Sequence, residues 1–291
     1  MVALAVGPLI LFYSVFLFFP MGYSVFVSFY DWPGASLIKS PRFIGLGNYT
    51  YALFTDSLFL TGLKNTVWFT AMNVPFGAAT ALTIAVLVNS VPTWKSPYRI
   101  LYFLPVLTSE VAAGIIWKWI YQPRFGLINS FLFQITDALH WSVQLPQWLD
   151  DPKLAMPSIV LTGIWKGSGY TMVIFLAGLQ GISQSYYDAA KVDGAGVWPT
   201  FRHITLPLLR PTMIFVVVTG VIGSLQAFTS MYVMTKGGPV NATRTIVYVL
   251  YDQAFSNFRF GYASSLAVLL FIVILAATLV QFRFLRVNWD Y

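Results

Sequence analysis

Residues 188–207 read DAAKVDGAGVWPTFRHITLP, and they carry more information about the fold than any other stretch of this chain. Their pattern predicts a short helix that ends near Val192, with one of the serines just upstream as its N-cap. Gly194 and Gly196 then predict a tight reversal that needs a positive φ or a close backbone approach. The stretch is therefore expected to form two short helices joined by a glycine turn.

The second of these helices is expected over 197–204, because Pro199 is tolerated in a first helical turn, and Pro207 is expected to end it. Its apolar side chains recur near i, i+1, i+4 and i+7, which places them on one face: Val197, Trp198, Phe201 and Ile204. An amphipathic helix pair exposed to water fits a groove on a partner protein. A loop that lies on lipid headgroups is the alternative, and the pattern leaves both open.

On either side of this loop the chain is almost bare of charge. Of its 291 residues 57% are hydrophobic and only 9% are charged, whereas a soluble domain carries roughly 25% charged residues. So few charges cannot cover the surface of a water-soluble protein of this length. Uncharged windows reach the roughly 20 residues that cross a bilayer core: 1–30, 65–94, 167–187, 211–235 and 260–282. The composition therefore predicts a polytopic membrane protein.

The expected architecture is an all-α, single transmembrane domain over 1–291 with six spans, at about 3–30, 66–91, 98–121, 155–181, 211–234 and 261–283. The first is expected to be a retained helix, because it lacks the basic flank and small-residue cleavage site of a signal peptide.

Basic residues are denser on the side of the membrane that holds 92–97, 182–210 and the tail from 284 than on the side that holds 31–65, 122–154 and 235–260. The denser side is expected to face the cytoplasm. Both termini and the loop 182–210 are therefore predicted to be cytoplasmic.

Several kinds of chemistry are excluded by residue type. The chain has no cysteine, so it has no disulfide and no thiolate metal site. It contains no GxxxxGK[ST] phosphate loop, no HExxH and no GxSxG, and its two histidines, His140 and His203, are predicted to lie on opposite sides of the membrane. The net charge of +7 is scattered between apolar spans, unlike the basic stripe of a nucleic-acid-binding protein. No catalytic residue and no metal site is predicted, and no enzyme activity is expected.

Residues 188–207 resemble the EAA loop of ATP-binding-cassette (ABC) importer permeases: an acidic residue and two alanines, three residues, Gly, nine residues, and Ile-x-Leu-Pro. The matching positions are Asp188, in place of the usual Glu, Ala189, Ala190, Gly194, Ile204, Leu206 and Pro207. Residues 43–49 (FIGLGNY) and 235–239 (TKGGP) resemble the carbohydrate-uptake branch, specifically the first permease subunit of maltose, multiple-sugar and glycerol-3-phosphate importers. The resemblance covers about 8–286 and implies the binding-protein-dependent permease (MetI-like) fold.

The resemblance also implies partners. In that family the loop docks into a cleft of a cytoplasmic ATPase dimer, which binds the ATP and magnesium, so no cofactor is expected in this chain. A second, homologous permease subunit and an extracytoplasmic solute-binding protein complete the importer in a bacterial inner membrane. Carried over to this chain, Asp188 pairs with a basic residue of the ATPase, Gly194 makes the turn, and the residues that fill the cleft are Val197, Trp198 and Phe201.

Candidate solute contacts fall in the fourth and fifth spans. Gly220, Ser224 and Ala227 recur on one helical face, and small residues at this spacing also fit close helix packing. Gln226 favours a wet cavity, because an amide is costly in hydrocarbon. By resemblance, the positions that line the sugar path are Gly220, Gly223, Ser224 and Ala227 in the fifth span and Lys166, Gly167 and Tyr170 in the fourth. Snorkelling toward the outer interface is an equal alternative for Lys166.

Glu110, the only glutamate of the chain, is predicted inside the third span, where a carboxylate is a functional candidate. Three roles stay open for it: a gate or substrate contact, a cap of a broken helix, or a pair with Lys118.

The sequence favours import of a sugar or polyol. The same machinery carrying glycerol-3-phosphate or another organophosphate is the main alternative, and Lys166 is its only support. An ion-coupled secondary transporter would need ionisable relays in the spans and leaves residues 188–207 unexplained. A non-transporting scaffold is disfavoured by Gln226 and the small-residue face.

Overall fold

The computed structural model describes residues 2–34, 40–91 and 95–284, with side chains from residue 6 onward except Lys95. Residues 92–94 of one loop and the tail after 284, both assigned above to the basic side, lie outside this description. The described chain divides into two compact units, 1–65 with 244–276 and 66–243 with 277–291.

The first unit holds the only strands that the described residues form, an antiparallel pair in which Tyr30 faces Phe43. Its elements, with the two long helices that contribute to both units, are α1 (Val2–Tyr13), a π-helical turn (Ser14–Phe18), α2 (Phe19–Val27), β1 (Tyr30–Asp31), β2 (Arg42–Phe43), α3 (Gly47–Phe54), α4 (Ser57–Ser90), α14 (Ile246–Tyr251), a π-helical turn (Asp252–Ser256) and α15 (Phe260–Phe284).

The second unit holds the remaining helices. They are α5 (Lys95–Leu107), α6 (Glu110–Ile120), α7 (Leu127–Ala138), α8 (Ala155–Gln180), α9 (Gln184–Val192), α10 (Val197–Thr200), a π-helical turn (Phe201–Thr205), α11 (Leu206–Leu208), α12 (Arg210–Leu225) and α13 (Thr229–Met234).

Four continuous helical segments are long and apolar enough to cross a membrane: Val6–Val27, Ser57–Ser90, Ala155–Gln180 and Phe260–Phe284. Two bent pairs, Ser96–Leu107 with Glu110–Ile120 and Val197–Leu208 with Arg210–Leu225, raise the number within the described residues to six if each pair is one span. The prediction of a helical polytopic membrane protein is thus confirmed, while the third and fifth spans differ from the expected continuous helices.

The third span, predicted over 98–121 with Glu110 inside it, is not one continuous helix. The chain bends by 96° between α5 and α6. Ser109 is the reason, because it leaves helical geometry (φ −65°, ψ 149°) and caps α6, its Oγ accepting a hydrogen bond from the Ala112 N–H at 3.1 Å. Thr108 donates its hydroxyl to the Pro105 carbonyl at 2.7 Å and closes the end of α5.

The fifth span was expected to be continuous over 211–234, and it also breaks. Helix α12 ends at Leu225, and α13 begins only at Thr229. Its last turn tightens, because the N–H groups of Gln226 and Ala227 bond three residues back, to Gly223 and Ser224, each at 3.2 Å. The predicted helical face that joined Ser224 to Ala227 is therefore interrupted.

The second span begins nine residues earlier than the expected start at 66. Asp56 explains the shift, because its Oδ1 accepts hydrogen bonds from the N–H groups of Leu58 at 2.8 Å and Phe59 at 3.3 Å, as an N-cap does. Its other carboxylate oxygen accepts from the Tyr262 hydroxyl. The core of this first unit consists of Ala52, Phe59, Ile246, Val249, Tyr262, Leu266 and Leu270.

Helix α8 is the centre of the second unit. The C-terminal half of this helix contributes four side chains to a core that it forms with α4 and with residues near the start of α12. The core contains Met172, Phe175, Leu176 and Leu179 of α8, Ala81 and Ala85 of α4, and Leu209 and Val216. Two of its glycines permit close approach: a Cβ at Gly169 would overlap the Tyr102 carbonyl oxygen, and one at Gly178 would lie 2.6 Å from the Thr212 Oγ1. Small residues at helix contacts are the usual means of tight packing in membranes.

We expect Gly169→Ala to reduce the yield of folded protein strongly. The added methyl group would meet backbone atoms of α5, which cannot rotate away, so the helices must separate, at a cost of a few kcal/mol. Size-exclusion chromatography and thermal melting of the protein in detergent measure the effect. Gly167→Ala is the matched control in the same helix, because its Cβ would meet nothing within 4 Å. Equal melting temperatures for the two variants would contradict this packing.

Candidate functional site

A polar cavity of about 370 Å³ lies in the second unit. It is bounded by the N-terminal half of α8, the start of α6 and the broken segment between α12 and α13. Six of the eight residues predicted to line the solute path line it: Lys166, Gly167, Gly223, Ser224, Gln226 and Ala227. Because the α12 helix ends at Leu225, its last turn and the following loop present both side chains and backbone to this space.

Two predicted residues lie elsewhere. Gly220 lines a separate, smaller cavity of about 90 Å³, and a Cβ there would lie 3.5 Å from Val74. That distance agrees with the close-packing alternative. Tyr170 is 57% exposed on α8 and lines neither of the two cavities. The position on the sugar path that the resemblance implies for Tyr170 has no support from the geometry within this chain.

The cavity also contains Asn73, a polar residue that sequence reasoning left out. Asn73 of α4 donates its Nδ2 to the Ser224 Oγ at 3.0 Å. It could have been found by the argument applied to Gln226, since it is an amide within an uncharged window. Ser230, which flanks the small-residue face of the fifth span in the sequence, lines the same space from α13.

Glu110 is the first residue of α6 and lines the cavity. Its Oε1 accepts a hydrogen bond from the Ser230 hydroxyl at 2.8 Å. Within the described part of the chain it forms no ion pair with Lys118, so that alternative is wrong. The predicted break of the helix is present, but the capping side chain is that of Ser109.

The predicted helix–turn–helix is present, with adjusted boundaries. Helix α9 starts at Gln184 with Ser183 as its N-cap, whose Oγ accepts from the Ser185 N–H at 3.4 Å. Gly194 has the expected positive φ of 71°. Gly196 does not, because it has φ −73° and ψ 178° and forms the extended N-cap of α10.

The second helix continues beyond the predicted end. A π-helical turn over Phe201–Thr205 leads into α11, which runs through Pro207 to Leu208. Pro207 was expected to stop the helix, but it stands in the first turn of α11, where a missing N–H costs no hydrogen bond. The chain bends only at Leu209, by 65°.

The tip of this hairpin is apolar and exposed. Val197 is 90% exposed and Trp198 is 66% exposed. The centroids of the Trp198 ring and the partly buried Phe201 ring lie 5.7 Å apart. Of the two alanines, Ala190 is buried and Ala189 is exposed. An exposed tryptophan and valine on a short helix form a surface suited to burial against another molecule.

Asp188 lies on the exposed face of α9 and is held in its ionised form. Gln184 and Lys191 each place a side-chain nitrogen 3.3 Å from its Oδ1. The hydrogen bond from Gln184 and then that from Lys191 lower the pKa of the Asp188 carboxyl. Because both partners are on the same helix and the ion pair with Lys191 is exposed, the carboxylate stays accessible to a basic residue of another protein.

Apolar helices long enough to cross a membrane, a polar cavity at helix breaks and an exposed helical hairpin are the features of a transmembrane permease. The chain belongs to the family of binding-protein-dependent transport system inner membrane components, whose pattern it matches over residues 3–286. The resemblance to permeases of ABC importers is thereby confirmed.

Two transport permeases are similar in sequence to almost the whole chain. The lactose transport system permease protein of Rhizobium radiobacter is 33% identical, over 96% of this chain and 92% of the relative. The sn-glycerol-3-phosphate transport system permease protein of Agrobacterium fabrum is 32% identical, over 99% and 95%. A chain of the crystal structure of a bacterial alginate ABC transporter has the same fold, with a TM-score of 0.85 over 98% of this chain and 93% of that one, at 22% identity.

Proposed function

We propose that this permease forms half of the translocation path of an ATP-driven importer for a carbohydrate. The observation that carries the proposal is the polar cavity of about 370 Å³. Asn73, Ser224 and Gln226 supply amide and hydroxyl groups to it, and Phe228 adds an aromatic ring. Sugars combine hydroxyl groups with apolar ring faces, so such a lining suits them. The lactose permease among the relatives supports the same solute class.

The hairpin over 184–208 supports a division of labour among subunits. Its exposed Val197 and Trp198 and its ionised Asp188 fit docking into a cleft of an ATPase dimer that binds ATP and magnesium. A second, homologous permease completes the path, and a solute-binding protein delivers the solute to the opposite side of the membrane. This chain itself catalyses no reaction. The density of basic residues supports a cytoplasmic position for the hairpin and both termini in a bacterial cell.

An organophosphate is the second candidate solute. Lys166 in the cavity and the glycerol-3-phosphate permease among the relatives favour it. An ion-coupled secondary carrier has less support. Such a mechanism gives residues 188–207 no role, and the chain belongs to the family of binding-protein-dependent transport components. Uptake that is blocked by an uncoupler and insensitive to vanadate would favour the secondary carrier.

Purification of the intact complex tests the proposal directly. We expect a second permease, an ATPase and a binding protein to co-purify, with a neutral carbohydrate bound to the binding protein, as identified by mass spectrometry. A phosphate ester on the binding protein would establish the second candidate instead. A complex without an ATPase would contradict the coupling role.

We expect Gly194→Asp to insert normally yet to uncouple ATP hydrolysis from uptake. Aspartate tolerates positive φ better than most residues, and a Cβ at Gly194 meets nothing within 4 Å, so the hairpin folds but carries a new charge at its tip. The ratio of solute transported to ATP hydrolysed should fall at least tenfold. Gly196→Ala is the control and should leave this ratio unchanged, because the extended backbone of Gly196 accepts an alanine without strain. Unchanged uptake by Gly194→Asp would contradict the docking role.

Single-cysteine labelling tests the orientation, because the chain has no cysteine of its own. We expect a membrane-impermeant maleimide to label Val197→Cys only in inside-out vesicles and Val240→Cys only in intact cells. Both side chains are nearly fully exposed, at 90% and 88%, and the permease is expressed without the ATPase that would cover Val197, so sidedness alone decides the labelling. The reverse pattern would invert the predicted topology.

A further inference from the structure

Glu110 has a carboxylate oxygen available inside the cavity. Its Oε1 accepts the hydroxyl of Ser230 at 2.8 Å, and the described residues supply no hydrogen-bond donor to its Oε2. A carboxylate is an acceptor only and can take several donors. Glu110 can therefore accept further hydrogen bonds from a molecule in the cavity.

The charges that line the cavity balance. Among its described lining residues, Glu110 carries the one negative charge and Lys166 the one positive charge. A pocket built for phosphate or carboxylate has an excess of basic groups. Here an anion attracted to Lys166 would share about 370 Å³ with a like charge on Glu110, and such repulsion lowers affinity.

A neutral solute with many hydroxyl groups avoids this conflict. Its hydroxyls can donate to Glu110 and accept from Lys166, while amide and hydroxyl groups such as those of Asn73 and Ser224 contact the rest. Hydrogen bonds to charged groups are roughly twice as strong as those between neutral groups. The same carboxylate thus favours one class of solute and disfavours the other.

We propose that Glu110 determines the specificity of the cavity, accepting hydrogen bonds from a neutral, polyhydroxylated solute and excluding anionic ones. This rests on the proposed transport function and decides between its two candidate solutes. It also gives a purpose to the break of the third span, because the bend at Thr108 and Ser109 is what presents Glu110 to the cavity.

A purely structural role makes a different prediction. Helices α6 and α13 pack closely, with Gly114 against Val233, and the bond between Glu110 and Ser230 joins their starts. If that bond only holds the two helices together, loosening the same helix contact at Val233 should have the same effect. If Glu110 contacts solute, Val233→Ala, whose side chain is outside the cavity lining, should leave recognition largely intact.

The test compares lactose with lactobionate, an anionic molecule of similar size, as ligands of the complex of both permeases and the ATPase in detergent, without the binding protein, with binding measured by calorimetry. We expect the natural complex to bind lactose at least tenfold more tightly than lactobionate. Glu110→Gln should weaken lactose about tenfold, the loss of a charge-assisted hydrogen bond, and should reduce the discrimination against lactobionate. Val233→Ala should change either affinity less than threefold. Melting temperatures verify that both variants are folded.

Four results would overturn the proposal: lactobionate bound as well as lactose by the natural complex, Glu110→Gln without effect on lactose affinity, Val233→Ala equal in effect to Glu110→Gln, or no saturable lactose binding. None of these results touches the importer function, which the co-purification experiment tests separately through the subunits and the solute of the binding protein.

Discussion

Backbone hydrogen bonding in a medium without water is the constraint on which the rest of this structure depends. A helix that crosses a bilayer can break only where side chains, tightened turns or a wet cavity satisfy the freed groups. Both breaks in this chain meet that condition. The hydroxyl of Ser109 caps α6, and the N–H groups of Gln226 and Ala227 bond back to the last turn of α12. Both breaks border the polar cavity.

Close packing at glycines fixes the helices around that cavity. Lipid tails are as apolar as the side chains, so the hydrophobic effect does little to hold helices together within the bilayer. Gly169 lets α8 meet the backbone of α5, and Gly178 lets it meet Thr212. Rigid contacts of this kind make it possible for a movement of the hairpin at 184–208 to be transmitted to the cavity as a movement of whole helices.

Two regions with a proposed function each hold a pair of opposite charges. At the hairpin, Asp188 and Lys191 stay exposed on one face of α9, while Val197 and Trp198 form the apolar tip. In the cavity, Glu110 and Lys166 oppose each other in sign. Elsewhere the spans are nearly uncharged, because an ionised group in hydrocarbon is tolerated only where a partner or water can reach it.

The sequence by itself determined the helical membrane class, the bounds of the fourth and sixth spans and the hairpin with its positive φ at Gly194. These follow from local hydropathy and backbone preference, which neighbours in space do not change. Only the tertiary structure decided where the third span bends, that the fifth span breaks after Leu225, that Ser230 meets Glu110, and that Tyr170 does not line the cavity. Each of these depends on which helix packs against which, and a pattern along one chain carries no information about that pairing.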